Sequence, residues 1–184
     1  NSTGLDLSQA DLIRNYILMG QDIKLQTELY EKYWFPMEQS YGNEYATKFD
    51  WFMRDYLSVK TGAIPRIDKV YEEFKTYVQS NKAPKTITEV VQDIFKYSGY
   101  YVNMVLRKEA NTDLKKLFTN ILKLKVDVSY PFLLPVYNDY ATEIITIEDF
   151  KEIIKLVENY VFRRAISCIH TNGRNNTLPT LYKT

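Results

Sequence analysis

An all-α fold, an irregular bundle of about eight helices around a long C-terminal helix, is predicted by three features of the sequence. Apolar residues recur at spacings of three and four along most of the chain, the period of one helix face. Ser8 with Asp11, Thr86 with Glu89 and Thr146 with Asp149 each place a hydroxyl three residues before a carboxylate, the pattern of a capping-box start. No stretch reads as a strand, and no internal repeat is present.

Residues 1–7 form a turn-rich lead, and Ser8 heads a first helix with Leu12, Ile13, Tyr16 and Ile17 on its inner face. A second helix is predicted over 22–35, with Leu25, Leu29 and Trp34 inward and Pro36 ending or kinking it. The third is the most aromatic, with Phe49, Phe52, Met53, Tyr56 and Leu57 sharing a face, and Gly62 closes it. Pro65 suits the first turn of a fourth helix that turns Ile67, Val70, Tyr71, Phe74 and Val78 inward. After the polar loop 80–85, Thr86 caps a fifth helix carrying Val90, Ile94, Tyr97, Tyr101 and Val105. Gly99 within it costs helicity, which points to close helix packing or a bend. A sixth helix is predicted over 112–126, with Leu114, Leu117, Phe118, Ile121 and Leu122 inward. YPFLLPVYNDY, bounded by Pro131 and interrupted by Pro135, is either one helix or two turns with a break, and a short, largely buried helix is the favoured reading. The longest pattern runs over 146–172, where Ile147, Phe150, Ile154, Val157, Val161, Ala165 and Cys168 make one stripe. Phe162 and Ile166 open a second apolar patch there, which predicts burial of that half on two sides and a central position for the helix. The polar, proline-broken 173–184 reads as an exit linker.

Composition bounds the function. The 184 residues suit one domain or one domain plus an appendage, and 45% hydrophobic content supports a core. Lys+Arg 24 against Asp+Glu 23 leaves a formal charge of +1, so no global basic field draws the chain to nucleic acid, although a local patch remains open. One cysteine excludes an internal disulfide, and one histidine argues against a transition-metal site. With no apolar run near the roughly 20 residues of a membrane span and no signal-peptide pattern, a cytoplasmic location without membrane contact is expected. An opening at NSTG without Met reads as a piece of something longer.

Each candidate for chemistry has a plainer rival. By helical phase Arg164 falls on the flank of the last helix's stripe and Arg163 points away; pairing with carboxylates such as Asp127 or Asp139 outweighs contact with phosphate or a partner. His170 suits a helix C-terminus, and Cys168 on the stripe reads as a small buried hydrophobe. The 16 tyrosines stack nucleobases only beside a basic groove, so they read as core-edge residues. Lys115, Lys116, Lys123 and Lys125 make the sixth helix locally basic; with Arg107 and Lys108 they are the candidate DNA-facing residues, against the plainer reading of a solvated face. No catalytic residue and no metal ligand is assigned.

The opening NSTGLDLSQADLIRNYILMG resembles the segment that ends the nucleotidase-like module of the GmrSD family, with Asn1, Gly4, Leu7, Ser8, Asp11, Leu12, Ile13, Arg14 and Asn15 on the family pattern. The resemblance continues through YWFPMEQ, FMRDYLSVKTGAIPRIDKVYEEFK and VDVSYPFLLPVY to VENYVFRRAISCIHTN, so it covers nearly the whole chain. Ile169 and His170 depart from the glycine and proline usual there. The family resemblance implies an NTP-dependent, modification-dependent DNA restriction protein that fuses a ParB-like nucleotidase, this helical region and often an HNH nuclease. On that reading residues 1–20 end the upstream module, 21–172 are a helical domain and 173–184 lead out. The chain is then the non-catalytic middle segment, needing no cofactor itself, while NTP and a divalent metal belong to the parent protein. Its partners are the flanking nucleotidase-like and nuclease modules and, at a basic face, DNA. Only Asn1 remains of the nucleotide site, and Arg14, Asn15, Arg163 and Arg164 are structural or bind a partner or phosphate. A helical interaction scaffold unrelated to DNA is the alternative.

Overall fold

The computed structural model describes residues 7–124 and 127–166, without the side chains of 127 and 164–166. The described residues are helical, with no strand among them: α1 (Gln9–Met19), α2 (Ile23–Leu29), α3 (Phe35–Tyr41), α4 (Tyr45–Thr61), α5 (Val70–Val78), α6 (Ile87–Val105), α7 (Thr112–Lys123), α8 (Tyr130–Ala141) and α9 (Ile147–Ile166). The chain divides into two compact units, Asn1–Lys96 and Tyr97–Thr184, and the division falls inside α6.

In the first unit α4 packs on α1, α3 and α5, and α1 also packs on α5. The apolar phase of α4 explains its place: Phe49, Phe52, Met53, Tyr56 and Leu57 are all fully buried. Burial of side chains this large stabilises by roughly 1.5–3 kcal/mol each. Phe49 is the hub of the aromatic packing, with ring centroids 5.4 Å from Trp34, 5.2 Å from Tyr41 and 5.4 Å from Phe52. Gly62 ends α4 at φ 81°, a left-handed position suited to glycine.

Pro36 does not end the second helix. A π-helical turn, Tyr30–Trp34, joins α2 to α3, and the Phe35 N–H donates to the Tyr30 carbonyl five residues back. The widened turn relieves the clash that a proline ring makes with the carbonyl four residues before it, so the chain stays helical to Tyr41. Helix α1 packs on α4 and α5 within the first unit, with Ala10, Ile13 and Ile17 fully buried.

In the second unit α9 packs against α7 and α8. Helix α8 is the largely buried helix expected over YPFLLPVYNDY, with Pro131 in its first turn, Pro135 in its interior and Leu133, Leu134 and Tyr137 in the core. Helix α9 buries Phe150, Ile154, Val157 and Val161 on one stripe. Phe162, expected to open a second buried patch in the later half of this helix, is 51% exposed, and the side chain of Ile166 lies outside the described residues. Among the described residues α7 and α8 pack on one stripe of α9, and Leu156 stays 67% exposed. Gly99 is likewise exposed, and a Cβ there meets nothing within 4 Å, so close helix packing is not its reason. No described helix is long and apolar enough to cross a membrane.

Candidate functional sites

Ser8, Asp11 and Arg14 do structural work at and around α1. The Ser8 hydroxyl accepts from the Asp11 N–H at 3.1 Å and donates to the Asp11 carboxylate at 2.8 Å. Arg14 then joins α1 to α3: its guanidinium lies 3.1 Å from Asp11 and 2.8 Å from Glu38, whose other oxygen accepts from the Tyr30 hydroxyl at 3.3 Å. Asn15 is partly exposed beside it. Of the two functions open to Arg14 in the sequence, this geometry favours the structural one.

Side chains also close helix ends across the fold. The Asp50 carboxylate of α4 accepts from the Ala10 N–H at 2.7 Å and the Gln9 N–H at 3.2 Å, satisfying donors at the start of α1. Burial pushes the Asp50 carboxyl up, against those two backbone donors, which favour its charged form. The Gln9 side chain in turn accepts from the Tyr71 N–H at 2.9 Å at the start of α5. One relay of caps thus ties α4 to α1 and α1 to α5. Nothing in the local sequence marks Asp50 or Gln9 for this, because the donors lie 40 and 62 positions away.

In the second unit the corresponding centre is Tyr137. Its hydroxyl donates to the buried Glu109 carboxylate, whose other oxygen accepts from the Asn111 N–H at 2.9 Å, and the Asn103 amide donates to the same hydroxyl at 3.0 Å. The Tyr137 ring stacks on Tyr100 at 4.6 Å and lies nearly parallel to Phe118 at 6.1 Å. Burial, then the bond to Glu109, push the Tyr137 hydroxyl well up, so it stays a neutral donor. The tyrosines of the core keep the polar tip engaged in this way; Tyr56 likewise donates to Asp93 at 2.8 Å, beside Lys60 at 2.6 Å from the same carboxylate.

The candidate DNA-facing residues separate. Arg107 and Lys108 are exposed after α6, and Lys115, Lys116 and Lys123 are exposed on α7. Only Lys116 of these lines the groove of about 310 Å³ between α7 and α9. There it meets Lys151 and Lys155 of α9, which the sequence reading passed over; their i, i+4 spacing was the available sign that they share a face. Lys151 is held 3.0 Å from Asp113 and 3.2 Å from Glu148, and its bond draws the Asp113 carboxyl below the usual range. A second open groove, of about 410 Å³, lies against Trp51, Arg54, Pro65, Arg66, Ile67 and Asp68 in the first unit.

Arg163 is exposed on α9, as its helical phase requires. Asn1, Lys125, Cys168 and His170 lie outside the described residues, as do the side chains of Asp127 and Arg164. Among the described residues no group of three or more His, Cys, Asp or Glu is placed to hold a metal ion. Comparison with family models, curated proteins and solved structures finds no match to the chain.

Proposed function

We propose that the chain is the helical middle segment of an NTP-dependent, modification-dependent DNA restriction protein of the cytoplasm, non-catalytic alone and coupling a nucleotidase-like module to a nuclease module. The observation that carries this reading is the GmrSD-like pattern across nearly the whole chain. The placement of Ser8, Asp11 and Arg14 supports it, because a motif that locks α1 onto α3 suits a segment through which an upstream module transmits position. The nucleotide and metal chemistry belongs to those modules. DNA contact within this segment is assigned to phosphates met by Lys116 and Lys123, with Lys155 opposite Lys116 in the groove.

The gene that encodes the chain decides the reading. An Asp-Gly-Gln-Gln-Arg motif upstream and HNH histidines downstream are expected; a reading frame with neither sinks the restriction assignment. Purified residues 1–184 are expected to show no NTPase or nuclease activity, and activity abolished by a substitution inside the chain would overturn the non-catalytic reading. A second reading, a partner-docking scaffold without DNA, draws on Met19 and Ile23, 81% and 82% exposed on either side of the α1–α2 turn.

A further inference from the structure

We infer that the groove beside Trp51 is a binding site for an unpaired nucleobase and its phosphate, the base lying on the indole and the phosphate meeting Arg66. This goes beyond the coupling function and does not depend on it.

The site is built from two consecutive pieces of the first unit. Helix α4 turns its apolar stripe inward and leaves Trp51 40% exposed, whereas the other tryptophan, Trp34, is 1% exposed. Arg54, one turn on, lays its guanidinium 5.1 Å from the centre of the Trp51 ring. That guanidinium is itself held: it donates to the Pro65 carbonyl at 3.3 Å and lies 3.8 Å from Asp55, and its side chain is only 15% exposed. Arg54 is therefore held against the Trp51 ring before any ligand arrives. Pro65 and Ile67 supply the apolar wall. At the rim Arg66, 80% exposed, forks onto Asp68 at 3.1 and 3.0 Å.

The chemistry of these groups selects the ligand. With Arg54 on one side, an indole that is 40% exposed leaves a surface on which a base can lie, and base–aromatic stacking needs no particular sequence. Arg66 presents a planar fork matched to phosphate oxygens, and its present partner is a neighbouring exposed carboxylate, a pairing of little worth in water. A phosphate can displace it. A proline-rich peptide is the poorer fit, because its grooves are lined by several aromatic side chains and only one lines this groove. A duplex is poorer still, since its bases are already stacked on one another.

Trp51 reports on its own site, because the second emitter is buried. The intact chain is titrated with a short oligothymidylate and with the duplex of the same length, following tryptophan emission at low salt, while the anisotropy of labelled oligonucleotide gives affinity independently. Saturable quenching by the single strand, weaker with the duplex, is expected. Trp51→Ala should weaken the single strand at least about fivefold, the lower range of one stacked base. Arg66→Ala should weaken it and reduce the log–log salt slope by about 0.7, one phosphate contact on a single strand. Because Arg66 is exposed, that variant tests the site even if Trp51→Ala fails to fold. Replacing Lys115, Lys116 and Lys123 together should leave the quenching intact, which separates this site from any DNA contact on α7. No quenching at low salt, equal quenching by a glutamate-rich peptide, or unchanged affinity in Arg66→Ala would each overturn the inference.

Discussion

Two arginines of this chain show how far a residue's environment sets its worth. Arg14 joins Asp11 and Glu38 at a half-buried position, so Arg14→Ala removes a link between α1 and α3 and should cost about 1–2 kcal/mol, discounted from the buried-pair range for its exposure. Arg163→Ala on the exposed side of α9 should stay within about 0.5 kcal/mol. Urea denaturation checks both as midpoint shifts at similar slope; equal losses would contradict the assigned positions. Tyr137→Phe is the sharper case. It strips the hydroxyl that satisfies Glu109 and Asn103 while leaving the stacked ring in place. The expected loss is about 1–3 kcal/mol, the penalty for an unsatisfied buried polar group, and a loss near zero would show that the network is not closed as described.

Helix ends carry the next layer of argument. At α6 the Thr86 N–H and hydroxyl donate to Glu89 and the Glu89 N–H returns to Thr86; at α9 Thr146 and Asp149 do the same. These bonds draw the Glu89 and Asp149 carboxyls below their usual range, as Lys151 does for Asp113. A folded-state pKa below the unfolded value of roughly 4 contributes stability that is present above that value and lost as pH falls through the folded one. The urea midpoint should therefore fall on acidification below about pH 4. Asp50 acts with opposite sign: its carboxyl is raised, so the native state takes up its proton first and gains from acidification. Asp149→Asn should flatten the acid loss and Asp50→Asn should steepen it, which separates the two contributions in one titration. Gly99 supplies a further test, because it lies inside α6, exposed, with open space where a Cβ would go. Gly99→Ala should raise stability by about 0.5–1 kcal/mol, and a loss in thermal or chemical denaturation would mean that the position serves a contact absent from this structure.

For the whole molecule, charge balance limits what the surface can do. A formal charge of +1 provides no long-range attraction, so binding of duplex DNA through Lys116, Lys123 and Lys155 should be weak and should fall with salt at a log–log slope of about −2.7 for three phosphates. A gel-shift series that is salt-insensitive, or blank at low salt, would remove DNA from the surface of the second unit. The all-helical class, the three capping boxes, the buried stripe of α4 and the buried helix at Pro131 to Pro135 were all legible in the sequence, because each depends on residues within one or two helical turns of one another. The candidate sites were legible only in part. Lys116 was visible as a member of a basic run, but Lys151 and Lys155, which line the same groove, belong to another helix, and Trp51 with Arg66 became a site only once α4 and the residues after Pro65 faced one groove. Hydrophobic periodicity determined which face of each helix is buried, since burying apolar surface is the dominant favourable term and its pattern is local. Which helices meet, where Pro36 is absorbed by a π turn, which stripe of α9 stays exposed and which distant carboxylate caps α1 were decided by packing. Those outcomes depend on the sum of many contacts between residues far apart in the chain, and no local pattern encodes that sum.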